Sequence, residues 1–162
     1  MHDKPCIVEL QEIAQQVNLL GANFAFHIRN ADAVIIVYSV CGLSWRQTEP
    51  LSAVRGFYRD VKRAAEENQM REFPVTVVGT QCDTECGRIV GKEEARKTAK
   101  TLGCRFLEWS AKEGDADVLD GLVSDIVGDI MRQMEKGASW RGNNATGMTE
   151  NEAPVASRWF CR

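Results

Sequence analysis

Apolar residues recur along the chain at two spacings, and the switching between them predicts the elements. Ala33-Val34-Ile35-Ile36-Val37-Tyr38-Ser39-Val40 is a nearly continuous apolar run, as expected of a strand covered on both faces of a parallel sheet. Phe73 to Gly79 repeats the pattern, and Cys6 to Leu10 and Cys104 to Glu108 are shorter strands of the same kind. From Leu51 to Met70 the period changes: Leu51, Val54, Phe57, Tyr58, Val61, Ala64 and Ala65 fall on one stripe of a helix. Asp117 to Lys136 carries the strongest stripe, running from Leu119 and Leu122 through Ile126 to Ile130 and Met134. Its acidic start and basic end complement the helix dipole. Gly91 to Leu102 is a charged helix that stops at Gly103, a natural C′ residue. Gln11 to Arg29 has a helical period at Ile13, Val17, Leu20, Phe24 and Ile28 that Gly21 interrupts. It is either one weakened helix or a loop followed by a helix.

Strand and helix therefore alternate four times. The expected fold is α/β, a mainly parallel sheet with helices on both faces. Residues 1–136 form the domain. Residues 137–162, rich in Gly, Asn and Ser, are expected to be a disordered tail.

Composition narrows the function classes. The 162 residues are 44% hydrophobic, enough for one packed core, and carry a formal net charge of -3. Spread-out Lys and Arg leave no basic footprint for nucleic acid. No apolar run approaches the roughly 20 residues of a bilayer span. Met1-His2-Asp3-Lys4-Pro5 lacks an apolar signal region, so the six cysteines read as free thiols and the expected location is the cytoplasm. Cys82 and Cys86 have no second pair or His nearby to make a metal site. His2 and His27 stand alone, with no Ser/His/Asp set around them.

In a parallel α/β sheet, ligands bind at the carboxyl ends of strands. Two loops stand out there: Gly79-Thr80-Gln81-Cys82-Asp83 and Trp109-Ser110-Ala111-Lys112. Val77-Val78-Gly79-Thr80-Gln81-Cys82-Asp83 resembles the strand of Ras-like small GTPases that runs into their Asn-Lys-x-Asp guanine-recognition motif. Leu107-Glu108-Trp109-Ser110-Ala111-Lys112 resembles their Ser-Ala-Lys motif, and Ala31 to Val40 their central strand. The resemblance covers roughly Val8 to Gln133, with a longer Cys41 to Phe73 stretch than the family usually has.

The resemblance implies a P-loop NTPase fold lacking its first two strands, and a binding site for GTP or GDP in part. The Asp83 carboxylate would accept the two donors on a guanine edge, and the Ala111 N–H would meet O6. Lys112 would lie along the base, and Ser110 would brace the loop. Thr80 stands where the family has Asn, and Gln81 where it has the Lys that stacks on the base. Each change removes a contact worth about 1 kcal/mol or more. A Gly-x-x-x-x-Gly-Lys-Ser/Thr phosphate loop does not occur in these residues. The nearest segment, Gly87 to Glu93, is one residue short, ends in Glu and follows the base-recognition loop. Glu12-Ile13-Ala14-Gln15-Gln16 aligns with the family's Asp-Thr-Ala-Gly-Gln segment, which makes Gln16 the one weak catalytic candidate. The threonine-bearing switch segment has no counterpart, so Mg2+ is not supported.

Two function classes follow. One is a Ras-type signalling protein read from an incomplete or alternative start, with effectors and regulators as partners. The other is a pseudo-GTPase that uses the scaffold for protein interaction without nucleotide. Cys161 is penultimate rather than fourth from the end, so no prenylation motif is present. In the family the strand order is 2-3-1-4-5-6. A chain starting at strand 3 leaves a gap beside its central strand, so Cys6 to Leu10 should either pair directly with Val34 to Val40 or pack loosely at the edge.

Overall fold

The computed structural model describes residues 7–13, 22–41, 49–70, 72–83, 87–135 and 157–161. The elements run β1 (Val8–Glu12), α1 (Ala22–Arg29), β2 (Ala33–Ser39), α2 (Pro50–Glu67), β3 (Val75–Thr80), α3 (Lys92–Thr101), β4 (Arg105–Glu108), α4 (Ala116–Glu135) and β5 (Ser157–Cys161). Each predicted element is present. Of the two readings of Gln11 to Arg29, the separate helix holds: the chain is extended to Glu12 and α1 starts only at Ala22.

The sheet has the order β1-β5-β2-β3-β4, with every registered pair parallel. Its core lies on both faces. On one, Val34, Ile36, Tyr38 and Val77 meet Phe24 and Ile28 of α1, Leu51, Val54, Phe57 and Val61 of α2, and Ala95 and Ala99 of α3. On the other, Ala33, Ile35 and Val78 meet Leu122, Ile126 and Ile130 of α4. This two-sided covering is why the strands read as runs rather than alternations. Pro50 at the start of α2 fits a position whose N–H has no helical partner. Gly103 ends α3 at φ 71°, a conformation that a side chain disfavours. Arg105 at the start of β4 ties the sheet to α4 by reaching Asp125 at 2.8 Å and Asp129 at 2.7 Å.

Two expectations need correction. Of the two alternatives for the first strand, the edge position holds, but as a registered strand paired with β5 rather than loose packing, and direct pairing with β2 does not occur. β1 sits at the sheet edge, and β5 lies between the two. The reading of residues 137–162 as a disordered tail fails at its far end. Ser157–Cys161 is a strand registered with Val8–Glu12 on one side and with Ala33 and Val34 on the other. The remainder of that stretch, 137–156 and 162, lies outside the described residues. The physical reason is the accounting of backbone groups. An interior gap leaves N–H and C=O groups of two strands without partners, and buried backbone groups are almost always paired. A five-residue segment with Trp159 and Phe160, both strand-prone types, fills it.

Two outcomes follow. Phe160→Pro removes a donor from an interior strand and should lower unfolding stability by about 1–3 kcal/mol in urea titration; a free tail would give no change. Ile126→Ala, at 1% exposure the most enclosed residue of α4's apolar face, should cost about 2–5 kcal/mol in the same measurement.

Candidate guanine-recognition site

The candidate residues sit where β2, β3 and β4 end on the same edge of the sheet. β3 finishes at Thr80, whose hydroxyl donates to the Tyr38 carbonyl of β2 at 3.1 Å. The chain then turns sharply at Gln81, a non-glycine residue at φ 62°. Local bonds hold that turn in place. The Ser39 hydroxyl donates to the Gln81 side-chain oxygen and accepts the Cys41 N–H at 3.1 Å. The Cys41 thiol donates to the Gln81 carbonyl at 3.4 Å. The Gln81 side chain is thus engaged with the end of β2.

Asp83 follows, and it meets the second loop directly. Ser110 Oγ donates to Asp83 Oδ1 at 2.5 Å. The same oxygen accepts the N–H groups of Lys112 at 3.1 Å and Glu113 at 3.2 Å. Ser110 is only 5% exposed, so one hydroxyl folds its own loop and joins it to the other. The Ser110 bond is the main reason that the Asp83 carboxyl lies below the usual carboxylate range; the Asp83 backbone N–H and Lys112 assist. Ala111 is exposed, and its N–H makes no bond to the described residues. Lys112 is exposed and pairs only loosely with Glu113, at 3.7 Å.

The turn after Ser110 depends on close backbone approach. Gly114 N–H donates to the Ser110 carbonyl at 2.7 Å. A Cβ on Gly114 would lie 2.2 Å from that carbonyl oxygen and 2.4 Å from Trp109 Nε1. The indole N–H of Trp109 donates onward to the Asp115 carbonyl at 3.0 Å. Asp115 in turn caps α4 by accepting the Asp117 N–H at 3.0 Å.

A third contact, absent from the sequence reading, binds the two loops from below. Arg88 grips Glu108 through both guanidinium nitrogens, at 3.1 and 3.2 Å. The Glu108 side chain is 5% exposed. The Ile89 N–H and the Val90 N–H both donate to the Val40 carbonyl, at 2.9 and 3.2 Å. Residues 87–90 therefore cross the ends of β2 and β4 at once. Only the charges of Arg88 and Glu108 could have flagged this pair; no spacing rule links residues in a loop and a strand twenty positions apart.

All six predicted base-site residues, Thr80, Gln81, Asp83, Ser110, Ala111 and Lys112, lie in these two joined loops. Gln16 and its neighbours lie outside the described residues, and Glu12 is exposed at the end of β1. The Asp83 carboxylate and the unbonded Ala111 amide suit the donors and the acceptor of a guanine edge. Among the described residues no group of three or more His, Cys, Asp or Glu side chains is gathered to hold a metal.

Known proteins resemble this chain over the stretch that carries both loops. The chain is 28% identical over 162 residues to the human Ras-related protein Rab-3D, an alignment covering 99% of this chain and 69% of that protein. The mouse Rab-3D is 29% identical over the same shares. A Ras-like protein of Laccaria bicolor is 31% identical over 65% of this chain and 46% of its own length. A model of the Ras family matches residues 9–134. That match takes in both loops and all but the last strand of the sheet, and the chain belongs to the Ras family.

Proposed function

We propose that this polypeptide is a Ras-type signalling protein that keeps part of a guanine-recognition surface and does not hydrolyse GTP. The observation that carries the reading is the Ser110–Asp83 hydrogen bond, which brings the two base-recognition loops together. A carboxylate held ionised accepts the two donors of guanine, which adenine does not present. The rat Rab-3D relative, 28% identical, is described as a GTP-binding protein, in line with guanine as the base. Phosphate and Mg2+ would bring the negative charge and Lewis acidity of the reaction, and these 162 residues contain no phosphate-loop sequence to receive them. Affinity then rests on the base alone and is weak. Cytoplasmic effectors or regulators are the expected partners.

One observation favours the second reading, a pseudo-GTPase that serves protein interaction without nucleotide. The Gln81 side chain is bonded to Ser39, so covering a base would require that bond to break.

Calorimetry separates the readings. Millimolar guanosine or GDP should give heat, adenosine should not, and Asp83→Ala should abolish the difference. No heat with either guanine ligand leaves the interaction-module reading. Magnesium-dependent GTP turnover above background, lost in Asp83→Ala, would contradict the proposal. The lowered pKa of Asp83 sets a pH dependence. Its stabilising contribution is complete above the unfolded carboxylate range and is lost as pH falls through the native value. Ser110→Ala should move the Asp83 carboxyl titration upward in NMR.

A further inference from the structure

At the lateral edge of the sheet formed by β4, which leads into the Ser110 loop, the backbone is placed to receive a strand. β4 is the outermost strand, pairing only with β3 among the described residues. The Trp109 N–H donates inward to the Gly79 carbonyl. Parallel pairing turns alternate residues to alternate sides. The N–H and C=O of Phe106 and Glu108 therefore point outward, with no partner among the described residues. Beside this ledge, Arg96, Lys100, Gly103, Cys104 and Phe106 line an open cleft of about 460 Å3 between α3 and β4.

The cleft carries two cations that are at most loosely paired, with Glu93 at one end of α3 and Glu72 near Tyr58 as the acidic groups around it. Lys100 has no ion-pair partner among the described residues, and Arg96 has only a distant, exposed contact with Glu93 at 3.6 Å. Lys62 lies close enough to act on the Cys104 thiol, which burial pushes up to about 11, so that the thiol stays neutral and lines the cleft as an apolar wall. On the other face of β4, the Arg105 guanidinium is already taken by Asp125 and Asp129. The two faces of a strand added here would thus meet different charge: free cations on the α3 side, a closed acid–base cluster on the α4 side.

We infer that the free edge of β4 and the Arg96–Lys100 cleft form a docking site for an extended acidic peptide, with acidic residues at every second position. Backbone pairing to Phe106 and Glu108 supplies affinity, as in strand addition generally, and the alternation of side chains supplies selectivity. Edge strands left open are usually blunted by charge or shortness. Here Glu108 and Arg105 are engaged by Arg88 and by Asp125 and Asp129, which leaves Lys100 and the loosely paired Arg96 to select a partner of the opposite sign. The site is separate from the guanine reading and survives its failure.

The test uses the full chain and a fluorescein-labelled probe, Thr-Glu-Val-Glu-Thr-Glu-Val-Glu, followed by fluorescence anisotropy. A peptide of the same composition with its Glu residues together should bind at least about tenfold more weakly, as should the probe N-methylated at alternate residues. R96E/K100E should weaken the probe by a similar factor. The amide NMR signals of Phe106 and Glu108 should shift on binding to the unaltered chain. Absence of binding at millimolar probe overturns the site. Equal binding of the N-methylated peptide, or unmoved Phe106 and Glu108 amides, also overturns it by showing charge attraction without strand pairing. These last two readouts need no altered protein, so a misfolded variant cannot obscure them.

Discussion

A parallel sheet cannot hold an empty lane between two of its strands, and that constraint governs the architecture of this molecule. Both neighbours would turn hydrogen-bonding groups into a space with no water and no partner. β1 and β2 are kept at that separation, and β5 occupies the lane between them. Because β5 is parallel to both, it takes the position that the first strand holds in the family's 2-3-1-4-5-6 order. β1 is linked into the sheet through β5, so the edge of the sheet and the far end of the sequence stand or fall together. β2, β3 and β4 rest instead on helices packed from both faces.

The recognition loops inherit their positions from that second group. They leave the ends of β3 and β4, adjacent strands joined in register from Thr76 to Gly79. Two cross-links then hold the loops to each other. At the outer surface a hydroxyl joins Ser110 to Asp83. Beneath it a two-pronged guanidinium–carboxylate contact joins Arg88 to Glu108. Charge-assisted pairs of this planar kind fix geometry as well as adding energy. Most of the carboxylate's surroundings are thus set by the protein's own contacts.

Much of this was legible in the residues. Ala33 to Val40 and Phe73 to Gly79 could be read as buried parallel strands from their unbroken apolar runs, α2 from a 3.6-residue period, and α4 from the same period with end charges. Asp83 and Ser110-Ala111-Lys112 were legible because each stands at the end of such a strand, in a fixed order. The role of Ser157–Cys161 was not legible. A Gly- and Asn-rich approach hides a short strand, and nothing local says that a vacant lane waits more than a hundred residues upstream. The Ser39–Gln81 and Arg88–Glu108 contacts were hidden for the same reason: their partners meet only once the sheet exists. The edge loop of Gly114 looked like ordinary turn composition, and only the closeness of the Ser110 carbonyl explains it.

The register of Glu12 with Cys161 has a consequence for how the molecule is made. The two residues stand nearly a chain length apart, so closing that loop costs more entropy than any neighbouring βα connection. Ser157–Cys161 is synthesised after β2, β3 and β4. Until it is made, Val8–Glu12 and the facing edge of β2 lack the backbone partner that the finished sheet supplies.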